Sequence, residues 1–162
     1  MRWIWIDKFV EFESGARATA IKNVSLAEEH LHDHFPGWPV MPASLILEGM
    51  AQTAGILVGE AGDFREKVIL AKVKRAVFLK EVRPGQQIRH EAAIEQLAPE
   101  AASTVGKSFV DGEPLAEIDI VFSHIDNNLS GLTFPQENFV FTDEFKSLLR
   151  TYNLAPKQTA SP

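Results

Sequence analysis

Apolar and polar residues recur along the chain with two periods, and the switch between them outlines the fold. Residues 3–12 are rich in β-branched and aromatic side chains and predict a strand. A Glu-Ser turn and Gly15 follow, and 16–23 alternates small apolar with polar residues, which predicts a hairpin partner. The stretch 27–34 is polar and irregular. From Ala43 to Gly59 the alternation disappears, because only Ser44, Glu48, Gln52 and Thr53 interrupt apolar and small residues. That pattern predicts a helix buried on most sides, closed by the glycine-containing stretch 59–63. Residues 67–79 predict another strand, with an irregularity near Arg75 and Ala76 where the alternation slips. Arg83-Pro84-Gly85 predicts a turn. Strands are expected at 87–97 and 103–110, broken by Ala98-Pro99-Glu100. Asp111-Gly112 is a strong hairpin signal leading into a last strand at 115–123. The order β-β-α-β-β-β-β is α+β: one long helix set early in an otherwise antiparallel sheet.

From Asp126 the texture changes. NNLSG predicts a linker, TFPQENFVF an aromatic-rich extended piece, and 143–152 a short amphipathic helix with Phe145, Leu148, Leu149 and Tyr152 at helical spacing. The last ten residues predict a loose tail. The expected division is therefore a main domain over 1–125 and an extension over 126–162.

Composition narrows the classes. The 162 residues suffice for one domain with a real core. A formal charge of −6 argues against a general nucleic-acid binder, and the absence of cysteine excludes a thiol nucleophile and a disulfide framework. The segment 43–59 is short for a membrane span and carries Glu48, Gln52 and three glycines, so a buried core helix is expected instead. The opening residues carry acids where a secretory signal needs its apolar run, and a cytoplasmic location is expected.

The candidate chemistry lies at the start of the helix. Pro36, Pro39 and Pro42 stiffen the loop that carries His34, and each disfavours helix at the residue before it. A helix N-terminus then offers unpaired N–H groups to an oxygen that gains negative charge. Ser44, Glu48 and Gln52, each four apart, share one face. The apolar neighbours of Glu48 predict burial, which would raise its pKa and let it act as an acid. Histidine and protonated glutamate together suit proton abstraction beside a carbonyl with loss of a leaving group. Gln52 can orient the Glu48 carboxyl or simply satisfy it. His30, His32 and His34 would share a face on an extended segment, the one arrangement that would suit a metal; no further ligand cluster accompanies them, and no metal is expected. His90 and His124 fall in strand patterns and are expected to be structural or solvent-facing. Lys72, Lys74, Arg75, Lys80 and Arg83 form a basic block in an acidic chain, either a solvated face or a dock for an acidic partner.

HFPGWPVMPASLILEGMAQ resembles the signature of the β-hydroxyacyl-acyl-carrier-protein dehydratases of the FabA/FabZ type, and VFLKEVRPGQQI (77–88) is a second, weaker match. The resemblance covers about residues 1–125. It implies a hotdog fold, a homodimer with two shared sites, and the further assembly of dimers into a trimer of dimers. It also implies His34 as base and Glu48 as acid, the glutamate being closer to FabZ than to FabA. The reaction implied is dehydration of a (3R)-3-hydroxyacyl thioester to the trans-2-enoyl thioester, with no metal or organic cofactor. The partner implied is an acyl carrier protein whose phosphopantetheine-linked acyl chain lies along the helix. Ala43 through its N–H, with Gln52, Phe35 and Gly37, would bind substrate, and the basic block would dock the carrier.

Ala43 departs from the family, which usually has glycine there. A helical φ would tolerate alanine and keep the N–H, whereas a positive φ would strain the turn. Two other readings of the chain are a hotdog acyl thioesterase, which would not require a histidine on this loop, and a non-catalytic acyl- or carrier-binding homologue.

Overall fold

The helix that organises the chain spans Ala43–Ala61 and is held on several sides at once. The computed structural model describes residues 3–125, 135 and 137–151. In chain order these form β1 (Lys8–Glu13), β2 (Arg17–Asn23), a short α1 (His30–Asp33), α2 (Ala43–Ala61), β3 (Val68–Phe78), β4 (Gln87–Leu97), β5 (Ala101–Val110), β6 (Glu113–His124) and α3 (Asp143–Thr151). The strands make one sheet in the order β1-β2-β4-β5-β6-β3, with every neighbouring pair antiparallel. The sheet curls round α2, which touches β2, β3, β4, β5 and β6.

Alternation produces this wrapping. On β4, Ile88, His90 and Ala92 point inward; on β6, Leu115, Ile118, Ile120 and Phe122 are buried. All but His90 pack with Ile46, Met50, Ala54 and Leu57 of α2 in one apolar cluster, where each large aliphatic side chain contributes about 1.5–3 kcal/mol by leaving water. Polar Thr53 is buried within it and satisfied by its hydroxyl donating to the Gly49 carbonyl, 2.8 Å away. Asp111 and Gly112, with φ of 50° and 86°, turn β5 into β6, as the Asp-Gly pair predicted.

The structure departs from the sequence pattern in four places. The predicted strand at 3–12 is paired only from Lys8, because the Trp5 N–H donates to the Gln52 side chain rather than to a neighbouring strand. The stretch 27–34, read as irregular, contains the short helix α1. The slip in β3 resolves into two register shifts, between Leu70 and Lys72 and between Val73 and Arg75, slightly earlier than predicted. The described part of TFPQENFVF forms bends, not an extended strand. The linker NNLSG, Tyr152 and the final ten residues lie outside the described residues. Among the described residues, no helix is long and apolar enough to cross a membrane.

Candidate active site

The loop before α2 holds His34 by backbone bonds that its own sequence arranges. The His34–Phe35 peptide is cis. Phe35 and Trp38 exchange N–H to carbonyl bonds of 3.0 and 2.9 Å round a turn in which Gly37 has φ of 75°. A Cβ at Gly37 would meet nothing within 4 Å, so conformation, not space, selects glycine there. The Val40 N–H donates to the His34 carbonyl at 2.8 Å, and Met41 N–H to Val82 at 2.8 Å, mooring the loop to the chain ahead of β4. On the side chain, His34 Nδ1 lies 2.7 Å from the Val40 carbonyl oxygen. A carbonyl only accepts, so Nδ1 carries the proton and Nε2 is left with the lone pair, the arrangement a general base needs. Phe35 stacks on the imidazole with centroids 4.2 Å apart.

Ala43 is the first residue of α2, exposed, with its φ outside the positive region. Alanine is therefore accommodated without strain. Pro42 precedes it, and no side chain caps the helix start. The Leu45 N–H donates to the Pro42 carbonyl at 3.0 Å, while the Ala43 and Ser44 N–H groups keep the donor character expected of an uncapped terminus.

One turn further on, Glu48 is half-buried, not buried as its neighbours predicted, because a cavity opens beside it. That cavity, about 180 Å³, is lined by Glu48 and Gln52 at one end and by Ile56, Leu70 and Phe122 beyond. Gln52 fixes the carboxylate. Its Nε2 donates to Glu48 Oε1 at 2.9 Å and to the Trp3 carbonyl at 2.8 Å, while its Oε1 accepts from Trp5 N–H at 2.8 Å. Reversing the amide would break all three bonds, so its orientation is determined.

Among the described residues no hydrogen bond or ion pair joins His34 to Glu48, and His34 does not line the Glu48 cavity. A larger hollow of about 740 Å³ lies on the sheet face away from α2, among charged side chains such as Arg17, Arg75, Lys107 and Glu117, and contains neither residue.

The three alternate histidines do not converge. Helical α1 spreads them: His32 Nε2 donates to the Leu26 carbonyl, while His30 stacks edge-on against Trp5. Burial draws the His30 pKa below its ordinary value. His90 is structural, as expected: it is 1% exposed, its Nδ1 lies 2.8 Å from Ser108 Oγ, and burial drives its pKa down to about 3. His124 is buried too, with Nδ1 2.8 Å from Glu66.

The basic block occupies more than one setting. Arg75 pairs with Glu117, Lys80 with Glu113, and Lys74 lies 3.8 Å from Glu95. Lys72 is exposed. Arg83 instead stacks on Trp38 of the His34 loop, its guanidinium carbon 3.2 Å from the ring centroid. Sequence reasoning missed the Val40 carbonyl and the anchoring of Gln52 by Trp3 and Trp5, because backbone donors and acceptors carry no side-chain signal.

A long helix wrapped by a single antiparallel sheet, with a proline-loop histidine ahead of it and a carboxylate on it, is a hotdog architecture. A family model described as a FabA-like domain matches residues 3–121. The 3-hydroxyacyl-(acyl-carrier-protein) dehydratase FabZ of Oceanobacillus iheyensis is 38% identical over 122 residues, covering 75% of this chain and 87% of that one. The FabZ of Koribacter versatilis is 42% identical over 113 residues, covering 68% and 72%. Among solved structures, uncharacterized protein PH1136 from Pyrococcus horikoshii superposes with a TM-score of 0.59 at 15% identity, covering 77% of this chain and 87% of that one, a likeness of fold. The chain belongs to the FabA/FabZ-type hotdog dehydratase family.

Proposed function

We propose that this chain dehydrates (3R)-3-hydroxyacyl thioesters, presented on an acyl carrier protein in the cytoplasm, to trans-2-enoyl thioesters for fatty acid or related lipid synthesis. The observation that carries this reading is the 2.7 Å approach of His34 Nδ1 to the Val40 carbonyl oxygen. With Nδ1–H held on Val40, Nε2 takes the C2 proton. Electrons from the broken C2–H bond form the C2–C3 double bond as the C3–O bond breaks. Glu48, oriented by Gln52, is the acid that delivers a proton to the departing hydroxyl, which leaves as water. The Ala43 N–H at the helix start stabilises the thioester oxygen as it gains charge. Phe35 and Gly37 shape the loop side of the site, Phe35 by stacking on the base and Gly37 by its turn.

The working site is shared between two copies, with His34 from one and Glu48 from the other. Two observations support this. The cavity beside Glu48 lacks His34, and β3, an edge strand of 11 residues, exposes Ile69, Leu70 and Val77. Exposed apolar edges invite pairing with another chain. Dimers then assemble further as a trimer of dimers. The acidic carrier docks on Lys72, Lys74, Arg75, Lys80 and Arg83, of which Arg83 touches the His34 loop directly.

The test supplies purified protein with a 3-hydroxyacyl thioester while conjugated enoyl absorbance and free thiol are followed together. Enoyl product that disappears in His34→Ala and in Glu48→Gln is expected. Free thiol without enoyl would assign hydrolysis instead, and neither signal, with binding retained, would assign a carrier- or acyl-binding role.

A further inference from the structure

The segment beyond β6 lies outside the stretch that the FabA-like family model matches, which ends at residue 121. That segment returns to α2 and supplies the far wall of the Glu48 cavity through Val140, Phe141 and Phe145. Phe141 and Phe145 are 4% and 3% exposed and join the apolar cluster that holds Ile56 and Leu57. Phe141 has this place because residue 59 is glycine: a Cβ there would meet the ring at 2.6 Å. The glycine at this point of α2 therefore makes room for the extension.

Asn138 holds the segment in position. Its Nδ2 donates to the carbonyls of Phe64 and Glu66 at 3.1 and 3.0 Å, and its Oδ1 accepts from the N–H groups of Val140 and Phe141 at 3.0 and 2.9 Å. One amide thus ties the turn after α2 to the two residues that enter the cavity wall. The cavity runs along α2 from Glu48 to Ile56, about 12 Å at roughly 1.5 Å per residue. An acyl chain that starts at the carboxylate and follows the apolar helix meets Val140, Phe141 and Phe145 head-on.

We propose that Val140, Phe141 and Phe145, clipped in place by Asn138, are the stop that limits acyl-chain length in this enzyme. The inference rests on the dehydratase reading above and adds a specificity determinant to it. The three side chains contact the distal chain and take no part in the proton transfers.

The full chain and the variants Phe141→Ala, Asn138→Ala and Val140→Phe are assayed for enoyl formation with short-, medium- and long-chain 3-hydroxyacyl thioesters, their folding checked by thermal unfolding. The expected result is a rise of about tenfold in the long-to-short ratio of kcat/KM for Phe141→Ala, the size of effect an apolar pocket delivers. A smaller rise is expected for Asn138→Ala, and a fall for Val140→Phe. Should Phe141→Ala not fold, Val140→Phe decides by its opposite sign. Enoyl formation with an unchanged chain-length profile in the folded variants overturns the stop alone. Wild-type protein that forms no enoyl product from any chain overturns the dehydratase reading, and the stop with it.

Discussion

Gln52 grips Glu48 at 2.9 Å through an amide whose other bonds end on the backbone of Trp3 and Trp5. The N-terminal segment therefore acts as a brace, transmitted through one side chain to the carboxylate. Gln52→Leu keeps the volume and removes all three bonds. It is expected to lower kcat about tenfold, the equivalent of roughly 1.4 kcal/mol, with a smaller change in KM. Steady-state kinetics across a substrate range checks this; a raised KM with kcat unchanged would assign Gln52 to binding.

Gly49, next to Glu48, lies under His90. A Cβ there would stand 2.5 Å from His90 Nε2 and 3.2 Å from the Trp5 carbonyl oxygen. Helix propensity favours alanine by about 1 kcal/mol, but overpacking a closed site costs about 1–3 kcal/mol and the ring is fully buried. Gly49→Ala is expected to lower Tm by a few degrees in a thermal melt. A raised Tm would show that His90 gives way.

His90 also ties stability to pH. It is neutral in the fold because burial lowers its pKa to about 3, while the unfolded chain protonates it near the ordinary histidine value of about 6.5. Between those values the unfolded state binds more protons, so stability is full above about pH 6.5 and falls as pH drops toward 3. Denaturant unfolding across this window should show a loss of at most about 1.4 kcal/mol per pH unit from this group. His90→Gln, which retains a partner for Ser108, should flatten the slope even if it lowers stability at neutral pH.

Ala43 begins α2 with an ordinary φ, so glycine has no conformational advantage there. Ala43→Gly is expected to leave kcat/KM within about twofold, a change below roughly 0.5 kcal/mol, and to cost up to about 1 kcal/mol of stability. A large gain in activity would mean that the methyl group obstructs the thioester.

Much of the fold was legible because its signals are local. Alternation located β4 to the residue, Asp111-Gly112 located the β5–β6 turn, and the unbroken apolar run located α2. The four-residue spacing of Glu48 and Gln52 foretold their hydrogen bond. What escaped depended on distant partners. Residues 3–7 have the composition of a strand, yet Trp5 is bonded to a side chain 47 residues away, where strand propensity has no bearing. Apolar neighbours on α2 implied a buried Glu48, but a sequence does not show that a cavity opens at that point. Charge density joined Arg83 to Lys80 and Arg75, whereas in the fold Arg83 has an aromatic partner, Trp38, besides its carboxylate, Glu81.

If one copy's His34 acts with another copy's Glu48, mixing two inactive variants restores activity. His34→Ala and Glu48→Gln proteins are unfolded together, refolded as a mixture and assayed for enoyl absorbance. In a two-fold dimer each mixed pair contains one site with both groups intact. Recovery of about a quarter of wild-type activity is expected, since about half the refolded dimers are mixed and each has one working site of two. Activity no higher than that of the separate variants, in a mixture shown to contain mixed dimers, would contradict it.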